Sequence, residues 1–393
     1  MMDLAKLQES AGHEVGFFAM DHPENEDSEY QSLFPSHVEL NPPPQGVAER
    51  LRVAGRVIYS QESREKIEKV LDLFQPDVVH LHNIYHQLSP SILTPIAEKG
   101  VPAVMTLHDY KLACPTYQFL DHGEICEACI GGRFRNAVMR RCNDSSISKS
   151  ALSALELRIH RSVGSYEPID ILVCPSKFMM DKMSQANVFP ERLVHLNHFV
   201  DVSGIAAADR PGAGVIFAGR LSSEKGVDTL INALAELGGG VELSVVGEGP
   251  ERGVLEGLSA SAAPGRVKFH GRVAATELHE MIRRASVVVV PSRWYENQPM
   301  VILEAFACAR PVIGSELGGI PELIVENATG TIVPPNDPQA LAEAIQPYVD
   351  DSSRAHAMGL AARQGAVADF SSAAHLSGLE RIYARAGEST VVR

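Results

Sequence analysis

Two cations flank a turn in the second half of the chain, directly after a strand-like apolar run. Residues 219–226 read Gly-Arg-Leu-Ser-Ser-Glu-Lys-Gly, so Arg220 and Lys225 lie five positions apart. A guanidinium can form paired hydrogen bonds with phosphate oxygens, and an ammonium adds a point charge. The helix expected after Gly226 adds free N–H groups and the positive end of its dipole. The turn therefore predicts a diphosphate site, although taken alone it is equally typical of an ordinary charged surface loop.

Two carboxylates follow another apolar run. Residues 287–291 have the composition of a buried strand, and Ser-Arg-Trp-Tyr-Glu-Asn-Gln-Pro and a predicted helix at 300–309 come next. Pro299 suits the first turn of that helix. Glu296 then precedes the helix and Glu304 lies on it, so both can face one pocket. Beside a nucleotide diphosphate, carboxylates accept hydrogen bonds from ribose and sugar hydroxyls. The alternative for Glu304 is an ordinary surface residue on the helix.

Both halves of the chain alternate short β-branched runs with helical stretches, which is the pattern of parallel sheets covered by helices. The first half has predicted helices such as 62–74 and predicted strands at 15–20, 77–82, 103–108 and 170–174. The second half has a predicted helix at 228–237 and predicted strands at 214–219, 241–247, 266–271, 286–291 and 311–314. Ligands of such sheets bind beyond the carboxyl ends of the strands, where both charged loops lie.

These motifs resemble glycosyltransferase family 4, a family of retaining enzymes with the GT-B fold. The Glu-x7-Glu motif of the family matches Glu296 to Glu304, and its Gly-Arg…Glu-Lys-Gly loop matches residues 219–226. Residues 311–315 and the following Gly-Gly-Ile-Pro-Glu also resemble the donor-side loop of the family, where Gly318 and Gly319 would let the backbone approach the ligand. The resemblance extends over nearly the whole chain.

The resemblance implies an α/β protein with two Rossmann-like parallel-sheet domains that face each other across a cleft. It assigns Arg220 and Lys225 to the donor diphosphate, Glu304 to ribose hydroxyls and Glu296 to the transferred sugar. His108 ends a predicted strand and matches a histidine that reaches the donor sugar, so we predict catalytic roles for His108, Glu296, Arg220 and Lys225. Further donor-binding residues are predicted to be Gly219, Gly247, Glu248, Asn297, Gln298 and Pro299.

With 393 residues, the chain is long enough for two domains. We predict an acceptor-side domain at 1–200 with a Cys-rich insertion at about 111–145, a linker at 201–213, a donor-binding domain at 214–375, and a C-terminal helix and tail at 376–393. The implied function is metal-independent transfer of a hexosyl group to an acceptor in surface polysaccharide or glycoconjugate biosynthesis. The alternatives are a sugar phosphorylase or epimerase on the same fold, and a catalytically impaired nucleotide-sugar-binding subunit.

The composition of the chain limits the classes of partner that it can bind. Hydrophobic residues make up 45% and charged residues 21%, and no apolar run approaches the roughly 18 residues that span a bilayer. The net charge of −14 argues against nucleic acid as a partner. The first ten residues resemble a helix more than a secretion signal, which predicts a cytoplasmic protein. The expected partners are a UDP- or GDP-linked sugar and a sugar or lipid-linked acceptor, and no cofactor is required for catalysis.

Four cysteines in the insertion raise the question of a metal. Cys126 and Cys129 have the two-residue gap of a zinc knuckle, and Cys114 and Cys142 could complete a structural four-thiolate site. The alternatives are free buried thiols or a disulfide. His80, His82 and His86 lack a clear ligand spacing, so we expect them to serve in packing or on the acceptor side.

A basic stretch in the acidic chain predicts peripheral attachment to the inner face of a membrane. Seven cations lie at 133–161, and Leu152, Leu155 and Ile159 could form an apolar stripe beside Arg133, Arg135, Arg140, Arg141, Lys149, Arg158 and Arg161. Such a segment suits anionic lipids. The alternative is a basic face that packs on the Cys-rich insertion.

The beginning of the chain differs from the family pattern. Family members open with a strand and a Gly-rich turn before the first helix, whereas here Met1 already belongs to the predicted helix. The missing strand would lie inside the sheet, where its loss exposes backbone hydrogen-bonding groups on both neighbours. We therefore expect the natural chain to begin roughly 20–30 residues earlier, or another segment or chain to fill the gap.

Overall fold

The computed structural model describes residues 1–38 and 46–391. Its first half contains a four-stranded parallel sheet in the order β1-β2-β5-β6 and a separate two-stranded hairpin, β3-β4. The strands are β1 Val79–His82, β2 Ala103–Thr106, β3 Leu120–Asp121, β4 Glu124–Ile125, β5 Ile171–Cys174 and β6 Leu193–His195.

The second half contains a six-stranded parallel sheet in the order β12-β11-β10-β7-β8-β9. Its strands are β7 Val215–Ala218, β8 Leu243–Val246, β9 Val267–Gly271, β10 Val287–Val290, β11 Val312–Ser315 and β12 Gly330–Val333. All four residues of β10 are buried valines, as expected for an inner strand covered by helices on both faces. The fold class is confirmed.

Helices cover both sheets, and several begin at a side-chain cap, such as the Ser60 and Ser176 hydroxyls that accept from N–H groups of the first turn. In the first half they are α1 Met2–Ser10, α2 Val47–Ile58, α3 Gln61–Phe74, α4 Leu93–Glu98, α5 Arg135–Arg140, α6 Ile147–Ser162 and α7 Lys177–Gln185. In the second half they are α8 Val227–Glu236, α9 Arg252–Ala262, α10 Ala275–Arg284, α11 Met300–Ala307, α12 Ile320–Leu323, α13 Pro338–Asp350, α14 Ser352–Asp369 and α15 Ser372–Val391.

The strand order of the second sheet fixes where a ligand can bind. β7 lies between β8 and β10, so the chain reverses direction across the sheet at the β7 and β10 pair. Loops that follow these two strands diverge to opposite faces and leave a crevice at their carboxyl ends. Residues 219–226, here named the cation loop, follow β7, and residues 291–299, here named the carboxylate loop, follow β10.

The last helix returns to the first sheet. Ile382 and Ala386 of α15 pack in one apolar cluster with residues of β2 and β5, namely Val104, Ile171 and Val173. Tyr383 also forms a hydrogen bond with His80 of β1 at 2.8 Å. The helix predicted within 376–393 is therefore part of the core of the first half, and residues 392–393 lie outside the described part.

The observed strands differ from the sequence-based expectations in two places. The strand predicted at 15–20 is wrong: this irregular segment places Gly16 against the Phe74 ring of α3, where packing on a helix replaces pairing with a strand. The short edge strands β6 and β12 were not predicted. Within the described residues β1 pairs only with β2, and the expected preceding strand remains a prediction, as do the domain limits. None of the described helices is long and apolar enough to cross a bilayer.

Candidate active site

A cavity of about 480 Å³ lies at the crevice of the second sheet, within the usual size range of small-molecule sites. Its wall includes parts of the cation loop, the carboxylate loop and α11. Seven residues predicted from the sequence line it together: Gly219, Lys225, Gly247, Glu296, Gln298, Pro299 and Glu304.

An ion pair joins the two loops at this cavity. Lys225 Nζ lies 2.6 Å from Glu296 Oε1, and the Ser292 hydroxyl donates to the same oxygen at 2.7 Å. The Glu296 residue is only 6% exposed, and these two partners hold its carboxylate in place. The Lys225 ammonium also lies 5.2 Å from the centre of the Trp294 ring. The cavity wall therefore carries a cation and a carboxylate in fixed positions.

Backbone contacts hold the two loops together. The Arg293 N–H donates to the Glu224 carbonyl at 2.8 Å. Gly226 has a φ of 68°, and a Cβ there would lie 2.1 Å from the Pro291 carbonyl oxygen, so only glycine allows this approach. Lys225 and Glu296 thus meet because their loops are in backbone contact.

Arginines follow two strands of the second sheet near the cavity, but Arg220 is not among the residues that line it. Arg220 is exposed and, among the described residues, makes no ion pair, so its guanidinium can meet an incoming anion. Arg272 directly follows β9 and lines the cavity. Sequence reasoning missed Arg272, although Gly271-Arg272 repeats the glycine-arginine pattern that follows β7. Both guanidiniums increase the positive potential for a phosphate-bearing ligand.

Glu304 lies one turn into α11 from the carboxylate loop and faces the cavity. Its Oε1 is 3.7 Å from His279 Nε2 of α10, and its side chain is 24% exposed. The carboxylate therefore has lone pairs available for hydroxyl groups. Glu304 therefore lines the cavity and is not only an ordinary residue on the helix surface.

Of the two residues predicted after β8, one lines the cavity and the other does not. Gly247 lines the cavity with a φ of 134°, and a Cβ there would lie 1.8 Å from the Gly219 carbonyl oxygen. Glu248 instead forms an ion pair with Arg252 of α9 and lies outside the cavity. The structure therefore supports Gly247 as a wall residue and does not bring Glu248 to the site.

The other face of the carboxylate loop contacts the first half of the chain. Asn297 accepts from the Ser176 hydroxyl at 3.0 Å and donates to the Leu107 carbonyl at 3.2 Å. Gln298 donates to the Asn197 side chain at 2.8 Å. Asn297 therefore joins the two domains rather than lining the cavity. Gly318 and Gly319 approach the backbone of this same loop, rather than the cavity, because a Cβ on Gly318 would lie 2.2 Å from the Glu296 carbonyl.

His108 lies next to this domain junction, one residue after Leu107. Its Nε2 is 2.9 Å from His82 Nδ1, and its ring stacks on His198 with centroids 5.5 Å apart. Although the residue as a whole is exposed, the protein around the ring limits its hydration and lowers the pKa of His108 to about 4. His80 has both ring nitrogens in hydrogen bonds, to Thr106 and Tyr383, which agrees with the expected packing role.

Sequence profiles match both halves of the chain. The profile of Glycosyltransferase Family 4 matches residues 1–203, and that of Glycosyl transferases group 1 matches residues 207–365. The chain belongs to glycosyltransferase family 4. Among curated proteins, this family 4 member is similar to the glycogen synthase of Mycobacterium tuberculosis, with 36% identity over 174 residues. That match spans 42% of this chain and 41% of the relative.

Solved structures show the same GT-B architecture. Sucrose-phosphate synthase from Thermosynechococcus elongatus has a TM-score of 0.70 and 21% identity, covering 98% of this chain and 91% of that one. Anabaena HepE in complex with UDP and glucose has a TM-score of 0.61 and 19% identity, covering 81% and 82%. At these identities the likeness establishes the fold of this family 4 glycosyltransferase.

The four cysteines of the insertion are reduced thiols in this structure. Burial raises the pKa of Cys129 to about 12 and that of Cys142 to about 11, with further contributions from neighbouring thiols and, for Cys142, from Asp121. Within residues 1–38 and 46–391, no three His, Cys, Asp or Glu side chains are arranged to hold a metal ion. The predicted zinc site at Cys114, Cys126, Cys129 and Cys142 therefore finds no support in the described geometry.

Proposed function

We propose that this family 4 member is a retaining glycosyltransferase that moves a hexosyl group from a nucleoside diphosphate sugar to an acceptor. The observation that carries the proposal is the contact between Lys225 and Glu296 in the wall of a cavity that Glu304 also lines. A cation beside hydroxyl-binding carboxylates suits a ligand that contains both a diphosphate and sugar rings.

The charge arrangement supports stabilisation of the leaving group. When the anomeric bond breaks, the nucleoside diphosphate gains negative charge and the sugar acquires oxocarbenium character. Arg220 and Lys225 then interact more strongly with the transition state than with the bound donor. Because these side chains supply the positive charge, we propose that catalysis needs no divalent metal. Retention of anomeric configuration rests on the family.

The carboxylates and the histidine would orient the sugar. Glu296 would accept from hydroxyls of the transferred hexose, and Glu304 from hydroxyls of the ribose. Neutral His108, fixed by His82, would offer one ring nitrogen to the donor sugar across the cleft. These assignments follow the family motif and the positions of the side chains around the cavity and the domain junction.

For the donor we propose a UDP- or GDP-linked sugar, and the likeness to a structure that contains UDP and glucose supports UDP. For the acceptor we propose a sugar or lipid-linked molecule in surface polysaccharide or glycoconjugate biosynthesis. Ile147 and Leu155 are 54% and 51% exposed on α6, and the exposed Arg158 lies on the same side of the helix. This face supports peripheral contact with anionic lipid at the inner side of a membrane. Leu152 and Ile159, predicted for the same stripe, are half-buried.

The test is a panel of UDP- and GDP-hexoses, with and without an alcohol acceptor and with EDTA present. We expect release of UDP or GDP that increases with acceptor and persists in EDTA, and NMR of the product should show the donor's anomeric configuration. Dependence on inorganic phosphate would instead indicate a phosphorylase, and sugar isomerisation without nucleotide release an epimerase. Binding of UDP or GDP without turnover of any donor would indicate a binding subunit.

A further inference from the structure

The carboxylate loop presents neighbouring side chains to two different domains. Trp294 and Glu296 face Lys225, at 5.2 Å to the ring centre and 2.6 Å to the carboxylate. Tyr295 and Asn297, which alternate with them, contact the first half of the chain. Because these residues alternate along one backbone, a shift of Tyr295 and Asn297 also moves Trp294 and Glu296, and with them the carboxylate in the cavity wall.

Tyr295 enters an aromatic cluster of the first half. Its ring meets Phe178 edge-on at 4.7 Å, with Tyr110 and Phe119 within 6.5 Å. Its hydroxyl donates to Glu127 Oε1 at 2.7 Å. Lys182 Nζ donates to the same oxygen at 2.6 Å and lies 5.4 Å from the Tyr295 ring centre. Glu127 is thus the polar partner that fixes the direction of the tyrosine within an apolar contact.

Glu127 is itself held by the Cys-rich insertion. It lies between Cys126 and Cys129, and the Cys126 N–H donates to the Phe119 carbonyl at 2.7 Å. The Ile130 N–H donates to the Glu127 carbonyl at 3.0 Å. These backbone bonds on both sides fix the position of the Glu127 carboxylate, which accepts from both Tyr295 and Lys182.

We propose that Glu127 is a positioning residue for glycosyl transfer, which acts through Tyr295 to hold Glu296 and Trp294 against Lys225. The inference rests on the proposed function and gives the Cys-rich insertion a role in it. The physical reason is proximity, because Tyr295 is covalently joined to Glu296. A displacement of about 1 Å at a reacting centre can cost up to about a hundredfold in rate.

The kinetic test compares Glu127→Ala, Glu127→Gln, Tyr295→Phe and the Glu127→Ala/Tyr295→Phe double variant, with Glu124→Ala as the matched control. Glu124 is an exposed carboxylate of β4 in the same insertion. Loss of one hydrogen bond to a charged group should lower kcat by about tenfold. Glu127→Gln keeps an acceptor oxygen for Tyr295 and should recover part of the loss. The double variant should be no worse than the poorer single variant, because both remove one contact.

Two further results are expected if Glu127 acts by positioning. The affinity for UDP or GDP should stay within about twofold of wild type, because the cation loop is unchanged. The melting temperature of Glu127→Ala should remain close to that of the control. Losses that multiply in the double variant, or an equal loss of kcat in Glu124→Ala, would overturn the proposal.

Trp294 gives a readout that needs no turnover, since it is the only tryptophan of the chain. Its indole N–H is buried and, in the part of the chain that the structure describes, has no hydrogen-bond partner. We expect a red shift of Trp294 emission in Glu127→Ala and Tyr295→Phe, and none in Glu124→Ala. Unchanged emission in both variants would overturn the positioning role. A red shift in a protein that transfers no sugar would contradict the proposed function alone.

Discussion

Lys225→Ala is the substitution that tests the site most directly. In the folded protein this ammonium contacts the Glu296 carboxylate; the Glu296 side chain is 8% exposed and the Lys225 side chain is 23% exposed. One preorganised charge at a developing oxyanion contributes about 2–4 kcal/mol to transition-state stabilisation. The expected fall in kcat is therefore about 30- to 900-fold.

The same substitution affects stability, and the structure bounds that effect. An exposed ion pair contributes about 0–1 kcal/mol, whereas removing one partner of a fully buried pair costs about 3–5 kcal/mol. Because the cavity admits water to Lys225, we expect a loss between these limits, about 1–2 kcal/mol in the free energy of unfolding. Adding Glu296→Gln should recover this stability, since an amide needs no cation, and should not recover kcat.

Single-turnover release of UDP or GDP measures the rate, and urea unfolding measures the stability. Lys268→Ala is the control, because Lys268 forms an ion pair with Glu242 at 2.7 Å in which both side chains are more than half exposed. It should leave both quantities unchanged. Turnover of Lys225→Ala within about threefold of wild type would refute the reasoning. Recovery of kcat by Glu296→Gln in the double variant would show that the lysine only neutralises its partner.

Three other properties follow from the structure. Burial and neighbouring histidines lower the pKa of His80 to about 3 from an unfolded value near 6.5, so its contribution to stability is present above pH 6.5 and is lost as the pH falls. Between pH 7.5 and pH 5.5, the free energy of urea unfolding should fall by about 1.3 kcal/mol more in the wild-type protein than in His80→Gln. The raised pKa of Cys142 should slow its alkylation at pH 8 by about a hundredfold relative to the unfolded chain, as measured by mass spectrometry. If the alkylation rate instead increases when a chelator is added, and the protein contains one zinc per chain, a four-thiolate site is established. Vesicles rich in anionic lipid should sediment the protein at low salt, and Leu155→Glu should weaken this binding; equal sedimentation of both proteins would exclude α6 as the contact.

The sequence predicted the two loops that meet at the cavity, but not every residue that lines it. Lys225 and Glu296 could be assigned because strands followed by charged loops place those loops at one edge of a parallel sheet. Arg272 was missed because its approach to the cavity depends on the position of β9 in the sheet. The contact between Glu127 and Tyr295 joins residues far apart in the chain, and no local pattern encodes it. The donor role of Glu248 stays a prediction, because in the structure its side chain pairs with Arg252 of α9.

Because α15 is synthesised last, the first domain cannot complete its core until translation ends. β5 leaves the ribosome roughly 200 residues before α15, and translation at about 5–20 residues per second separates them by about 10–40 s. During that interval the face formed by Val104, Ile171 and Val173 lacks the cover that Ile382 and Ala386 later provide. An apolar sheet face in that state is prone to association with other nascent chains or to capture by chaperones. A first half produced alone should therefore aggregate, and a peptide of residues 372–391 added in trans should suppress the aggregation.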